Sequence, residues 1–144
     1  MTDPAYNDAI AKAVKKLARK DWFVAEMSSY LAGEGFTADV VDAATAHLKR
    51  RSFIDDRRLI RNSIEKHRHD HGIAWIRQRL SHRGALEEDL DAELAEVSEV
   101  EAAVLAARKK FPKGEDSARI ARFLSSRGFA EETIESVLSD LHSQ

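Results

Sequence analysis

Cysteine is missing altogether from this chain of 144 residues. That excludes disulfides and thiolate metal sites, and it fits a reducing cytoplasm. Proline occurs only twice, at Pro4 near the start and at Pro112, where it stops a helix. No apolar run approaches the ~20 residues needed to span a bilayer. The opening MTDPAYNDAIAKAVKK lacks the apolar core of a signal peptide. Neither sign of charge dominates: 23 Lys and Arg face 25 Asp and Glu, a net charge of −2. Such a balance implies no overall pull toward DNA or membranes. There is no glycine-rich phosphate loop and no serine–histidine signature. A cytoplasmic chain with no cofactor and no membrane partner is the expectation.

No stretch alternates apolar and polar residues as a half-buried strand does. What is present is helical grammar used three times. It is clearest in Ile120 to Leu141, IARFLSSRGFAEETIESVLSDL: an amphipathic helix, a glycine stop, a second amphipathic helix. Aligning on a leucine and the glycine four residues later pairs Leu31 with Gly35, Leu80 with Gly84, and Leu124 with Gly128. Four residues before each leucine stands Met27, Ile76 or Ile120, on the same helix face. Six past each glycine stands Val41, Leu90 or Ile134, and thirteen past it Leu48, Val97 or Leu141. Glycine takes the left-handed conformation that ends a helix without steric penalty. Acids then gather in the next first turn: Asp39; Glu87, Glu88 and Asp89; Glu131 and Glu132. Negative charge there favours the positive end of the helix dipole. With about 45–50 residues between copies, these matched offsets argue for a helical repeat array.

In chain order, residues 1–7 read as a loose lead-in and Asp8 to Lys20 as the first helix, with Ala9, Ala13, Val14 and Leu17 as its stripe. Trp22 and Phe23 mark a joint. Val24 to Gly33 is a second helix, and Thr37 caps a third. Phe53 and Ile54 form an apolar hinge. Asp55 or Asp56 then caps a fourth helix reaching about His69, ended by Gly72. Ile73, Ile76 and Leu80 define a fifth helix, Leu86, Leu90, Leu94 and Val97 a sixth. Ser98 opens a seventh with Val100, Val104 and Leu105 inward, and the stretch from Ile120 supplies two more. The fold expected is all-α: three tandem three-helix repeats over 8–51, 52–97 and 98–142, forming an elongated, curved array.

Three motifs carry a resemblance to a known family. Phe53-Ile54-Asp55-Asp56-Arg57-Arg58-Leu59 opens the second repeat. Ile76-Arg77-Gln78-Arg79-Leu80 leads to Gly84. Arg122-Phe123-Leu124-Ser125-Ser126-Arg127-Gly128-Phe129 lies in the third. In this order they resemble the RecX family, bacterial regulators of the recombinase RecA, over about Asp8 to Leu141. The first repeat departs from the pattern, with Glu34 where the later copies have Arg83 and Arg127. The resemblance implies an all-helical array without catalysis, binding RecA and its nucleoprotein filament and damping ATP hydrolysis and strand exchange. It also implies direct contact with single- or double-stranded DNA in some members. A monomer is expected.

The candidate contacts are arginines: Arg57, Arg58 and Arg61 on the fourth helix, Arg77, Arg79 and Arg83 on the fifth, Arg119, Arg122 and Arg127 on the eighth. A guanidinium offers a rigid donor fork suited to carboxylate and phosphate. Shared places in the repeat predict a basic strip along one side, with Arg61 and Glu65 as a local pair. A rival reading is a DNA-binding helical module. A second rival is an enzyme with the His67, His69 and His71 cluster as a metal site: His67 and His71 share a helix face, and a third ligand such as Asp70 or Glu65 is needed. Paired-carboxylate chemistry at Asp55 and Asp56 is set against helix capping. Trp75 lies off the core stripe, placed to pack between repeats or to meet a partner.

Overall fold

The computed structural model describes residues 3–142 and contains, among them, nine α-helices and no strand. They are α1 (Pro4–Leu17), α2 (Val24–Gly33), α3 (Ala38–Arg50), α4 (Asp56–His67), α5 (Ile73–Arg83), α6 (Glu87–Leu94), α7 (Glu99–Lys110), α8 (Ser117–Ser126) and α9 (Glu131–His142). Their main packing runs within sequential groups of three: α1, α2 and α3; α4, α5 and α6; α7, α8 and α9. We call these groups the first, second and third modules.

The aligned apolar anchors are all in cores. Met27, Ile76 and Ile120 are buried, as are Leu31, Leu80 and Leu124. After each aligned glycine the next residue's N–H returns to that leucine's carbonyl: Phe36 to Leu31, Ala85 to Leu80, Phe129 to Leu124. Gly35, Gly84 and Gly128 all have positive φ, which is what this return requires. Ser52 takes the same left-handed backbone at φ 61° after α3, without being glycine.

Caps follow composition. Thr37, Asp55, Ser98 and Asp116 each accept an N–H of their own helix's first turn. The lead-in expected over residues 1–7 is corrected from Asp3 onward; residues 1 and 2 lie outside the described residues. Asp3 caps α1 and Pro4 occupies its first turn, where proline's missing N–H costs nothing. Helix α1 also stops at Leu17 rather than Lys20. Gly72 does not end α4; it is buried as the N-cap of α5.

Three expected apolar-stripe residues are on the surface: Val14 is 37% exposed, Leu105 49% and Leu86, the N-cap residue of α6, 54%. The seam of α7 is Ala102, Ala103, Ala106 and Ala107, all buried. Small side chains let α8 and α9 approach closely there, which turns Leu105 outward.

Candidate functional site

The joints between modules decide which side chains are free. At the first joint, Phe23 of the first module is fully buried in the second module's core, and Ile54 is buried in the first module's core. Asp55 caps α4, whereas the neighbouring Asp56 reaches back and accepts the Val24 N–H at the start of α2 (3.0 Å). Burial pushes the Asp56 carboxyl up from its ordinary value; the Val24 N–H opposes that, and Asp89 and Asp55 add to it. Both carboxylates of this doublet are therefore spent on helix ends. They line a notch of about 290 Å³ with Lys49, Arg57, Leu86 and Asp89.

The second joint uses the same device. Glu99, the first residue of α7, accepts the Ile73 N–H at the start of α5 (2.6 Å). Its other oxygen accepts the Ala130 N–H (2.9 Å) and the Thr133 hydroxyl (2.7 Å). Gly72 donates its N–H to the Arg127 carbonyl (3.0 Å). A Cβ on Gly72 would overlap the Gly128 carbonyl, and one on Gly128 would lie 2.7 Å from Trp75 Cβ. Glycine meets glycine here because the two backbones touch.

Most of the nine expected arginines brace the fold. Arg83 forms a two-pronged pair with Glu26 across the first joint (3.0 and 3.0 Å), donates to the Asp21 carbonyl and lies over the Phe23 ring. Burial alone would raise the Glu26 carboxyl; the hydrogen bonds from Arg83 and from Phe23 N–H outweigh it and hold that carboxyl below its ordinary value. Arg57 and Arg61 share Glu93 of α6, so the expected Arg61–Glu65 pair is replaced; Glu65 pairs with Arg68. Arg58 donates to the Ser52 carbonyl. Arg77 ties α5 to Glu87 and Asp91 of α6. Burial disfavours its charge, but the hydrogen bonds to Asp91 and Glu87 prevail and raise its pKa. Arg119 pairs with Glu115 (2.7 Å). Arg79, Arg122 and Arg127 form no ion pair among the described residues. Arg122 lines a separate groove beside Glu131 and Glu135.

Of the expected strip, Arg79, Arg119 and Arg127 stand beside aromatic rings, on a face that joins Trp75 of α5 to the end of α7 and to α8. Arg79 lies over the Trp75 ring at 5.3 Å. Arg127 and Lys110 lie over Phe123 at 5.3 and 6.0 Å, and Phe123 meets Phe111 edge-on. Arg119 lies 5.8 Å from the Phe111 ring. A cleft of about 230 Å³ opens between Asp70, Lys109, Lys110, Phe123 and Arg127. Cations thus lie over the rings of Trp75, Phe123 and Phe111; nearby, Lys109 pairs with Asp70 at 3.5 Å and Arg119 with Glu115.

Sequence reasoning missed Phe123, Phe111, Lys109 and Lys110 as members of this face. The signals were the Lys109-Lys110 doublet before Phe111 and the four-residue spacing of Phe123 to Arg127 and Trp75 to Arg79. The histidines do not converge on a point. His71 stacks on Trp75 (3.6 Å, 16°), His67 meets Trp75 edge-on at 5.0 Å, and the two imidazoles are 5.9 Å apart. Among the described residues no group of three His, Cys, Asp or Glu is placed to hold a metal. No helix among them is long and apolar enough to cross a membrane.

The architecture has counterparts among solved structures. The RecX crystal structure from Lactobacillus salivarius superposes with a TM-score of 0.84 at 16% identity, covering 97% of this chain and 98% of that one. A second crystal structure, of a regulatory protein RecX, gives 0.76 at 19% identity over 94% of this chain and 73% of its own. These define an all-helical class. In sequence, the chain is 34% identical over 123 residues to a regulatory protein RecX of Thermus thermophilus, covering 85% of this chain and 84% of that protein. The Acidithiobacillus ferrooxidans regulatory protein RecX is 33% identical over 138 residues, 92% of this chain and 89% of its own length. That of Serratia proteamaculans is 27% identical, over 93% and 98%. No family model matches. The chain belongs to the RecX family.

Proposed function

We propose that this protein is a non-enzymatic cytoplasmic regulator that binds RecA on its nucleoprotein filament and lowers its ATP hydrolysis and strand exchange. The observation carrying this is family membership, since the relatives are named regulatory proteins. The face of Arg79, Trp75, Arg127, Phe123 and Lys110 is the contact surface. Guanidinium and ammonium groups beside rings suit carboxylate-bearing or phosphate-bearing partners. Three repeats over 8–51, 52–97 and 98–142, set as an elongated and curved array in the filament groove, engage successive subunits at once and gain effective concentration. The regulator acts as a monomer.

A second reading is direct binding of DNA. It is favoured by the cations beside Trp75, Phe123 and Phe111, since single-stranded bases stack on rings while phosphates pair with cations. Cosedimentation with RecA filaments on single-stranded DNA tests the first reading. Arg79→Glu with Lys110→Glu should abolish pelleting, while Arg122→Glu should not. Equal pelleting of the double variant would refute the assigned surface. Binding of DNA without RecA, with steep salt dependence, would favour the second reading.

A further inference from the structure

We propose that His71 is a proton-operated latch on the joint between the second and third modules: its neutral ring stacks on Trp75 and holds the joint shut, and protonation of that ring releases it. The inference is independent of the RecA reading, because it concerns the free chain.

Placement comes first. His71 lies in the turn between α4 and α5, one residue before Gly72. Gly72 is the residue whose N–H joins the Arg127 carbonyl and whose Cα faces the Gly128 carbonyl. Trp75 is what the Gly128 stop rests on. The His71 ring lies nearly parallel to Trp75, at 3.6 Å and 16°. Whatever moves His71 therefore moves the turn that carries the joint's backbone contact.

Chemistry comes next. His71 Nδ1 is buried and has no hydrogen-bond partner. A neutral imidazole can leave that nitrogen as a bare acceptor, whereas an imidazolium must place an N–H there with nothing to receive it. The indole attracts a cation, but Arg79 already lies over the same ring at 5.3 Å and its charge repels a second one on His71. The charges facing His71 are Arg127 just past the end of α8, Arg79 from α5 and Asp70 from its own turn. Asp70 is engaged by Lys109 of α7. His67 faces Arg79, His71, Lys66 and Asp70. Around His71 two cations outweigh one carboxylate.

The titration has the matching sign. Burial first, then Arg127, hold the His71 imidazole below its ordinary 6.5; Asp70 opposes this and Arg79 adds to it. Burial, Arg79 and His71 do the same to His67. A base whose folded pKa is depressed binds its proton more readily once released. The stack is thus fully in place above about pH 6.5 and weakens as pH falls below it, through the depressed folded value.

The test uses the full chain labelled with 5-fluorotryptophan, followed by NMR between pH 5 and 8. The Trp75 resonance should titrate together with the His71 imidazole, with a midpoint under 6.5. Trp75→Leu should move the His71 midpoint up toward 6.5. The Trp75 titration should persist in His67→Gln and vanish in His71→Phe, whose ring stacks without a proton. His71→Gln serves if the phenylalanine variant does not fold. At pH 5.5 the Gly72 amide should exchange ~tenfold faster in the native chain than in His71→Phe, and equally at pH 7.5. A Trp75 titration that survives in both His71 variants, a His71 midpoint at or above 6.5, or Gly72 protection indifferent to the substitution at pH 5.5 would overturn the latch.

Discussion

Replacing Glu99 by alanine should cost far more than an exposed first-turn glutamate normally does. One carboxylate closes the second joint by serving three donors on two other helices: Ile73 N–H of α5, and Ala130 N–H and the Thr133 hydroxyl at the start of α9. Gly72 has no side chain with which to cap α5. Losing a helix cap costs about 1 kcal/mol, and two are lost here. The Thr133 hydrogen bond adds about 1 kcal/mol. The sum, about 3 kcal/mol, is a large share of a typical stability of about 5–15 kcal/mol. Glu99→Gln keeps an oxygen acceptor without the charge and should lose about half as much. Urea unfolding of the three proteins measures this, with the midpoint falling and the denaturant slope unchanged. A loss below about 1 kcal/mol for Glu99→Ala would refute the reading of Glu99 as a shared cap.

Gly72→Ala should cost about 2–4 kcal/mol in the same assay, because its methyl would sit 2.6 Å from the Gly128 carbonyl carbon and 2.7 Å from Phe129 Cα, all backbone. Gly33→Ala, with open space around it, should instead stabilise by about 0.5–1 kcal/mol. Ser52→Gly should raise stability by about 0.5–1 kcal/mol by relieving the left-handed backbone at φ 61°. Arg83→Met should lose about 1–2 kcal/mol, since the pair is only partly buried, and should let the Glu26 carboxyl rise when followed by NMR. Glu26 sits below its ordinary 4.5, so the stability it lends is present above that pH and fades as pH falls through its folded value; Arg83→Met should flatten this acid limb.

The helical class was legible because it rests on local rules. Left-handed glycines, capping residues and apolar spacing act within a few residues, and Gly35, Gly84 and Gly128 show them at work. The arginines were legible as cations but not as free ones. Arg83 meets an acid 57 residues away and Arg57 one 36 away, and only the packed chain brings them together. Shared repeat position was a poor guide for the same reason. Arg83 and Arg127 occupy equivalent places, yet the residue facing Arg83 is Glu26, while the joint at Arg127 offers Trp75 in the matching register. Leu105 was misplaced because side-chain size suggested the seam, whereas α7 packs through its alanines. The Asp55-Asp56 doublet reads in sequence as one cap; it is two, and the second belongs to a helix of the preceding module.

DNA-dependent ATP hydrolysis by RecA, measured with and without this protein, tests the account most directly. The native chain should lower the rate, Arg79→Glu with Lys110→Glu should leave it near the uninhibited value while remaining folded, and Arg122→Glu should inhibit as the native chain does. A rate indifferent to the native chain, or inhibited equally by the double variant, would contradict it.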